Sequence, residues 1–233
     1  MTHRTAIITG AGRGIGRATA AALSRRGYAC VLMARSSHEL EAAAHDCAVA
    51  RVAPGDVTSE TDIARAVQVA LDEFGRVDAL VNNAGLAPMA PIEETSLADW
   101  RRTIDVNLTS AFLACRAVWP HFVRQGTGVI VNVSSMAAKD PLPGFLGYAA
   151  AKAGLNALGL ALARQGASRG IRVHTLAPGA VETRMFRSLV DESTWPTDRT
   201  LLPTDVADVI AACVEGTLRY ASGEVIYLRR EPG

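Results

Sequence analysis

A tyrosine and a lysine four positions apart have the residue types and spacing for acid–base chemistry. Tyr148 and Lys152 begin a stretch with a long helical pattern, so their side chains share one helix face, about one turn apart. A free tyrosine has a pKa of ~10 and is a poor base at neutral pH. A nearby ammonium favours the phenolate, so we expect Lys152 to lower the pKa of Tyr148 toward the range useful for proton transfer.

Two adjacent serines supply hydroxyl groups that could act with this pair. Ser134 and Ser135 directly follow the apolar run Val129–Val133. Ligands of an open parallel sheet bind at the carboxyl ends of its strands. A serine hydroxyl at this position could therefore hydrogen-bond a substrate carbonyl that Tyr148 protonates.

A glycine-rich segment near the N-terminus is typical of a loop that binds a pyrophosphate. The apolar run Thr5–Thr9 leads into Gly10-Ala11-Gly12-Arg13-Gly14-Ile15-Gly16, and a helical pattern, Arg17–Arg26, follows. Glycines let the backbone turn sharply and approach the phosphates, which then meet free N–H groups at the start of the helix. The spacing is G-x-x-x-G-x-G rather than the G-x-G-x-x-G of many dinucleotide-binding folds.

The residues after the second apolar run indicate which dinucleotide is bound. An acidic residue about 20 positions beyond the loop would bind the ribose 2′-hydroxyl of NAD, but this chain has Ala34-Arg35-Ser36 there. Arg35 can pair with a 2′-phosphate, and Arg13 in the loop is placed to help. Position 34 carries no carboxylate that would repel the phosphate. The sequence therefore predicts NADP(H) in preference to NAD(H).

Short apolar runs alternate with helical patterns along the whole chain. Near-continuous apolar runs are typical of strands covered by helices on both faces. The candidate strands are Thr5–Thr9, Cys30–Met33, Val49–Ala53, Ala79–Asn82, Val129–Val133, Arg172–Ala177 and Val225–Leu228. The fold class is predicted to be α/β: a single-domain, Rossmann-type, doubly wound parallel sheet of about seven strands over residues 1–233.

Two helix starts have the pattern of a capped N-terminus. Ser59 and Asp62 open the clearest helical period, which carries Ile63, Val67, Ala70, Leu71 and Phe74. Ser96 and Asp99 open a second helix, which carries Trp100, Ile104 and Leu108. The least regular stretch, Arg187–Pro203, is predicted to be a surface excursion.

The composition argues against several classes of partner. The 24 basic and 23 acidic residues nearly cancel, which gives no field of one sign to attract nucleic acid or a membrane surface. We see no signal peptide and no apolar run of the ~20 residues needed to span a bilayer. The four cysteines are far apart, which predicts buried free thiols in a reducing compartment, and the five histidines lack ligand spacing for a metal. We expect a cytoplasmic protein with no bound metal.

In their order and spacing, these motifs resemble the short-chain dehydrogenase/reductase family, in particular its 3-oxoacyl-[acyl-carrier-protein] reductase-like members. The likeness covers residues 4–183, and the thirteen positions from Ser135 to Tyr148 match the family spacing, which favours Ser135 over Ser134. The motifs are the glycine loop Thr9–Gly16, Asp56-Val57, Asn82-Asn83-Ala84-Gly85, Asn107, Ser135, Tyr148-x-x-x-Lys152, and Pro178-Gly179 with Thr183.

The resemblance implies which residues form the site. The implied catalytic residues are Asn107, Ser135, Tyr148 and Lys152. The residues implied to bind the cofactor are Gly10, Gly12, Arg13, Gly14, Ile15, Gly16, Arg35, Asp56, Val57, Asn83, Ala84, Gly85, Tyr148, Lys152, Pro178, Gly179, Val181 and Thr183.

The resemblance also implies individual tasks. Asp56 and Val57 would hold the adenine end, and Asn83 to Gly85 would line the adenine ribose and brace the sheet. Asn107 would kink its helix and hold a water that links Lys152 to solvent. Lys152 would also hold the nicotinamide ribose. The backbone at Val181 and the hydroxyl of Thr183 would fix the carboxamide.

One departure from the family concerns the C-terminal end. Family members often have a glycine-rich Asp-Gly-Gly turn after the last strand, whereas this chain continues as Leu228-Arg229-Arg230. In many relatives that region packs across a tetramer interface. The resemblance therefore implies a homodimer or a homotetramer and does not decide between them.

The expected substrate is a small carbonyl compound or alcohol. The cleft is predicted to form from the loops at the carboxyl ends of the strands and the 183–203 segment, with an apolar lining that suggests a hydrophobic ketone without an obligatory charged anchor. That lining is expected to include Ala87–Met89, Met136, Leu142–Phe145, Met185, Phe186, Leu189 and Trp195.

Three functions stay open on the sequence. The first is an NADPH-dependent carbonyl reductase that uses Tyr148 as its general acid and base. The second is a 3-oxoacyl-thioester reductase of fatty-acid type, for which Arg124 and Arg169 are candidates to dock a carrier protein. The third, a non-catalytic protein that senses NADP(H), is disfavoured because a sensor has no need of a proton relay.

Overall fold

Seven parallel strands form one sheet in the computed structural model, which describes residues 3–230. The strand order is β3-β2-β1-β4-β5-β6-β7. The strands are β1 (Arg4–Thr9), β2 (Tyr28–Ala34), β3 (Ala50–Pro54), β4 (Ala79–Asn82), β5 (Gly128–Val133), β6 (Ile171–Pro178) and β7 (Val225–Leu228). The predicted α/β class and the seven predicted strands are confirmed. Residues 1–2 and 231–233 of the predicted domain lie outside the described residues.

Helices cover both faces of the sheet and connect its strands. They are α1 (Gly14–Arg25), α2 (Ser37–Ala44), α3 (Glu60–Phe74), α4 (Leu97–Ile104), α5 (Ser110–Gln125), α6 (Leu146–Gly166), α7 (Arg184–Arg187) and α8 (Pro203–Glu215). Every residue of β5 is buried, as in β4. This explains why the central strands are continuous apolar runs instead of alternating patterns.

The strand order reverses between β1 and β4. The chain runs outward from β1 through β2 to β3 and then returns to β4 on the other side of β1. The loops after β1 and β4 therefore diverge and leave a crevice at the carboxyl ends of the strands, which is where ligands bind in sheets of this kind.

Both predicted helix caps are present. The hydroxyl of Ser59 accepts a hydrogen bond from the backbone N–H of Asp62 at 3.2 Å, and that of Ser96 accepts one from Asp99 at 3.0 Å. These bonds satisfy N–H groups that have no partner within the helix. They fix where α3 and α4 begin.

A five-residue π-helical segment, Asp105–Thr109, joins α4 to α5. The side-chain amide of Asn107 donates a hydrogen bond to the carbonyl oxygen of Thr103 at 2.9 Å. This bond occupies a carbonyl that the helix backbone would otherwise use. The kink that the resemblance implied at Asn107 is thus observed as a π-helical widening.

The 183–203 segment is largely exposed and is tied back to the sheet. Val181 and Leu201 form an isolated parallel bridge, and the N–H of Leu201 donates to the carbonyl of Ala180 at 2.9 Å. Arg187 bonds the carbonyl oxygen of Trp195 at 2.8 Å. The surface excursion predicted here is therefore a loop anchored at both ends.

The longest helix, α6, is strongly apolar. The stretch Leu146–Arg169 has the length and mean hydropathy (1.2) of a bilayer-crossing helix, with 28% of its apolar window buried. The same helix carries Tyr148 and the buried Lys152 and packs on β6. Its apolar character therefore has two local explanations: one face packs on the sheet, and the other is left as an exposed apolar surface.

Candidate active site

The glycine loop has the backbone geometry of a phosphate-binding turn. Gly10 and Gly14 have φ values of +64° and +54°, which side chains rarely tolerate. A Cβ at Gly16 would collide with the carbonyl of Gly10 and lie 2.6 Å from the Asn83 amide. The loop therefore needs glycine at these positions, and it delivers the start of α1 to the crevice.

Asn83 braces this loop against the next strand. Its side-chain amide donates to the carbonyls of Thr9 and Gly10 at 2.9 and 3.1 Å. The hydroxyl of Thr9 accepts hydrogen bonds from the N–H groups of Asn83 and Ala84 at 3.0 and 3.1 Å. The ends of β1 and β4 are thereby held at a fixed separation, as the motif implied.

The adenine end contains Asp56 and Val57 after β3 and Arg35 after β2. The carboxylate of Asp56 accepts from the N–H and the hydroxyl of Thr58, at 2.9 and 2.8 Å, and these bonds hold its pKa below the ordinary value. Arg35 and Arg102 lower that pKa further. Both guanidinium groups therefore contribute positive potential to this part of the cleft.

A three-residue ion-pair group at the glycine loop was not predicted. Glu39 on α2 accepts from Arg13 in the loop and from Arg184 on α7, each at 3.2 Å. Glu39 also packs against Gly12, since a Cβ added at Gly12 would lie 2.9 Å from the Cβ of Glu39. Periodicity gives no signal for this group, because its members lie 26 and 145 positions apart.

Tyr148 and Ser135 face each other across the carboxyl end of β5. Ser135 caps a short turn by accepting the N–H of Ala137 at 3.1 Å, and its side chain lies near enough to Tyr148 to lower the pKa of that phenol. Ser134 instead donates to the carbonyl of Lys152 at 3.2 Å and is buried. The geometry therefore brings Ser135, rather than Ser134, to the reactive tyrosine.

The ionisation of Tyr148 differs from the sequence-based expectation. Burial raises the pKa of its hydroxyl above the ordinary value, and the nearby Ser135 side chain lowers it only in part. The ammonium of Lys152 lies 5.6 Å from the Tyr148 ring centroid and donates to the carbonyl of Val133 at 2.8 Å. Lys152 is not among the groups that shift this pKa, so the expected lowering by its ammonium is not found in this geometry.

Lys152 is a buried cation with a weakened hold on its proton. Its residue is 4% exposed, and burial lowers the pKa of its ammonium to about 8. The Val133 carbonyl is a neutral partner and offsets only part of the cost of desolvation. The side chain is therefore close to balanced between its charged and neutral forms in mildly alkaline solution.

Asn107 reaches the same region through Leu86 and Gly85. Its amide donates to the carbonyl of Leu86 at 2.8 Å and accepts from the Leu86 N–H at 3.3 Å. A Cβ at Gly85 would lie 2.8 Å from the Asn107 Oδ1 atom and 3.7 Å from the Lys152 Nζ atom. Asn107 and Lys152 therefore both lie beside Gly85.

Thr183 and the end of β6 close the cleft on the other side. The Thr183 hydroxyl donates to the carbonyl of Val181 at 3.2 Å and accepts the N–H of Phe186 at 3.2 Å, which caps α7. Pro178 and Gly179 line the same wall. All the predicted site residues except the buried Gly16 thus border one continuous cleft of about 1300 Å³.

The cleft has the donor set of a dinucleotide site. Glycine turns and a helix N-terminus suit a pyrophosphate, Asp56 can accept from adenine or ribose, and arginines flank the adenine end. The polar groups of Tyr148 and Lys152 lie beyond Gly85, at the opposite end. The residues therefore fit an extended nicotinamide dinucleotide.

The substrate end of the cleft is close to the prediction, with two corrections. Of the predicted lining, Pro88, Met89, Pro143 and Gly144 do not border the cleft. Met89 packs on Gly144, where a Cβ would meet its side chain at 2.7 Å. The residues that do line this end include Ala87, Met136, Leu142, Phe145, Met185, Phe186, Leu189 and Trp195.

The second correction concerns the candidate docking arginines. Arg124 precedes β5 and Arg169 precedes β6, so both lie at the amino ends of the strands, opposite the cleft. Neither lines it. The basic residues that do line it include Arg101 and Arg102 on α4.

The fold and this cleft define a nicotinamide-dependent oxidoreductase class. The chain belongs to the short chain dehydrogenase family, whose sequence profile matches residues 4–194. The family assignment made from the motifs is confirmed.

Three similar proteins illustrate the range of the family. The 3-oxoacyl-[acyl-carrier-protein] reductase of Synechocystis sp. is 36% identical over 198 residues, covering 81% of this chain and 78% of that protein. D-threitol dehydrogenase of Mycolicibacterium smegmatis is 37% identical over 208 residues, covering 88% and 80%. The structure of 3-ketoacyl-(acyl-carrier-protein) reductase from Brucella melitensis complexed with NADH superimposes with a TM-score of 0.92, at 31% identity over 97% of this chain and 96% of that one.

Proposed function

We propose that this protein is an NADPH-dependent oxidoreductase that interconverts a carbonyl and an alcohol, with Tyr148 as general acid and base. The observation that carries the proposal is that Tyr148, Ser135 and Lys152 meet in the same cleft as the glycine loop. When bound, the nicotinamide supplies or accepts the hydride, and the protein supplies orientation and charge.

In the reducing direction, Ser135 and Tyr148 bind the substrate oxygen. The Ser135 hydroxyl donates a hydrogen bond that orients the carbonyl, and the Tyr148 hydroxyl gives its proton to the oxygen as negative charge develops there. In the oxidising direction the tyrosine takes the proton back. The raised pKa of Tyr148 keeps the hydroxyl protonated at neutral pH, which suits the acid step better than the base step.

Lys152 and Asn107 restore the proton. Lys152 can hold the nicotinamide ribose, and its ammonium stabilises the tyrosinate left after transfer. Asn107 joins Lys152 at Gly85, where the amide is placed to hold a water that connects the lysine to solvent. The lowered pKa of Lys152 to about 8 allows the side chain itself to release and regain a proton.

We propose a preference for NADPH because the guanidinium groups of Arg35 and Arg102 lie at the adenine end of the cleft. Arg35 is exposed after β2, and Arg35 and Arg102 act together on Asp56. Arg13 is paired with Glu39 at 3.2 Å, so it must share or exchange this partner to contact a 2′-phosphate. The phosphate contact therefore rests mainly on Arg35.

The proposed substrate is a hydrophobic ketone, or the corresponding alcohol, bound between the loops at the strand ends and the 183–203 segment. Phe186 and Trp195 pack edge to face at 6.3 Å in this segment, and Phe145 lies 5.3 Å from the Tyr148 ring. A second candidate is reduction of a 3-oxoacyl thioester, favoured by the similarity to two carrier-protein reductases. Arg124 and Arg169 do not support it.

We further propose a cytoplasmic homodimer or homotetramer. Phe112 on α5 and Leu160 on α6 are 45% and 40% exposed. A long apolar helix with an exposed face is typical of a surface that a second copy covers. Light scattering at micromolar concentration tests the oligomeric state, and a monomer would overturn this part of the proposal.

The decisive experiment pairs NADPH binding with turnover on a panel of ketones, quinones and 3-oxoacyl thioesters. Wild type should consume NADPH, whereas Tyr148→Phe should lose turnover by about three orders of magnitude or more and retain NADPH affinity. Lys139→Met, at the other lysine, is the control and should retain both. Binding of NADPH without turnover in the wild type would favour the sensor, and turnover in the Tyr148→Phe variant would refute the mechanism.

A further inference from the structure

Three arginines at the substrate end of the cleft have no task in the proposed reaction. Arg199, Arg229 and Arg230, here called the rim arginines, line the cleft beside Met136 and Trp195. Two of them follow β7, where the sequence departs from the Asp-Gly-Gly ending frequent in the family. The departure therefore adds charge to the cleft itself.

The backbone after β7 is fixed against the substrate segment. The carbonyl of Leu228 accepts the N–H of Gly179 at 2.8 Å, and a Cβ at Gly179 would lie 3.8 Å from that of Arg229. The guanidinium of Arg230 donates to the carbonyl of Thr200 at 3.3 Å. Arg229 and Arg230 thus lie between the end of β6 and the segment that carries Arg199.

Neighbouring arginines on the same segment are paired with carboxylates. Arg187 forms a two-pronged ion pair with Glu182, at 2.6 and 2.8 Å, and Arg184 pairs with Glu39. Glu182 neutralises Arg187, whereas Glu39 is shared between Arg184 and Arg13 and offsets the charge of Arg184 in part. These ion pairs are structural contacts and need no ligand.

The contacts found for Arg199 and Arg230 are of a different kind. The guanidinium of Arg199 lies 5.0 Å above the ring centroid of Trp195, and that of Arg230 bonds a backbone carbonyl. Within residues 3–230, the ion pairs include neither Arg199 nor Arg230. An aromatic face and a carbonyl orient a guanidinium without neutralising it.

We propose that Arg199 and Arg230 bind an anionic group, a carboxylate or a phosphate, on the far side of the substrate from the reacting carbonyl. This inference rests on the proposed carbonyl chemistry and names its substrate class: an apolar body with an anionic end. The planar fork of a guanidinium matches the oxygens of either anion. The sequence led us to expect a substrate without an obligatory charged anchor, whereas this subsite selects a substrate that has one.

Matched substrate pairs test the proposal. One pair is a series of methyl-ketone carboxylic acids of increasing chain length against their methyl esters. The other is acetoacetyl-CoA against the acetoacetyl thioester of N-acetylcysteamine, which lacks the phosphates. Wild type should favour the anionic member of at least one pair in kcat/KM. The preferred pair distinguishes a carboxylate from the phosphates of a carrier.

The variants Arg199→Gln and Arg230→Gln should each reduce that preference by about threefold to tenfold. The reduction should appear in KM rather than kcat, and uncharged substrates should be converted as before. Added salt should reproduce it in the wild type, because these arginines are exposed. Arg169→Gln is the control. Because Arg169 lies at the amino ends of the strands, opposite the cleft, this change should leave the preference unaltered.

Binding measured without turnover separates this inference from the proposed function. Calorimetric titration of the acid and its ester into the NADPH-loaded protein reports the subsite even if no carbonyl is reduced. Tighter binding of the anionic member that is lost in Arg230→Gln supports the subsite. Equal binding of both members by the wild type overturns the subsite. A preference that is unchanged in the double variant Arg199→Gln/Arg230→Gln overturns it as well, and neither result depends on turnover.

Discussion

Removing the buried charge of Lys152 should change how stability depends on pH. The pKa of this ammonium falls from its ordinary value of 10.5 to about 8 in the folded protein because of burial. Between these pH values the unfolded chain still holds the proton and the folded chain has released it. The unfolded state therefore binds more protons, and stability rises with pH across this window.

The magnitude follows from the two pKa values. One pKa unit corresponds to about 1.4 kcal/mol, so the full difference of 2.5 units between 10.5 and about 8 is worth about 3 kcal/mol. Between pH 7.5 and 9.5 the wild type should gain about 2 kcal/mol from this group. Lys152→Met lacks the titrating group, and its lost hydrogen bond to the Val133 carbonyl is a constant that cancels between the two pH values.

Denaturant unfolding of the cofactor-free protein at pH 7.5 and 9.5 measures this difference. We expect the stability of wild type minus that of Lys152→Met to rise by about 2 kcal/mol with pH. The chain has one other lysine, Lys139, which is exposed, and Lys139→Met should behave as wild type. A difference between wild type and Lys152→Met that stays constant with pH, or falls, would refute the account of Lys152 as a desolvated cation.

Three further outcomes are expected. Burial lowers the pKa of His174, with help from Arg172, to about 4. The unfolded chain therefore takes up a proton below pH 6.5 that the folded chain refuses, and wild type should lose about 2 kcal/mol between pH 7.5 and 5 relative to His174→Gln, as unfolding curves would show. Arg35→Ser should weaken NADPH binding by about tenfold and leave NADH binding unchanged in fluorescence titrations, and equal losses for both would contradict the phosphate contact. Gly16→Ala should weaken both dinucleotides by at least about tenfold, because its methyl group collides with the Gly10 carbonyl.

The sequence was sufficient for the parts of the fold that depend on local chemistry. The caps at Ser59 and Ser96 were predicted because a serine followed three positions later by an acidic residue is the pattern of a capped helix N-terminus. The seven strands were predicted because apolar runs bounded by helical periods require burial on both faces. The order of the strands along the sheet was not predicted and is known from the structure.

Other features depend on contacts between distant segments and could not be predicted. The ion pairs of Glu39 connect the glycine loop, α2 and α7, and no sequence periodicity or spacing predicts them. The balance that raises the pKa of Tyr148 is set by how deeply its hydroxyl is buried, which a motif does not reveal. The placement of Arg124 and Arg169 is a different case, because each precedes a predicted strand and its position at the amino ends of the strands, opposite the cleft, could have been inferred from the sequence.

The π-helical segment Asp105–Thr109 has a consequence for how this region can vary. One inserted residue changes the direction of every later side chain by about 100°, so α4 and α5 present faces that a regular helix would not offer together. A substitution within the segment alters one contact. A deletion would instead turn a different face of α5 toward the sheet, or turn α4 away from the cleft. Apart from Asn107, whose side chain bonds the carbonyls of Leu86 and Thr103, the segment is constrained in length more than in residue identity, and insertions or deletions should be much less tolerated than point changes.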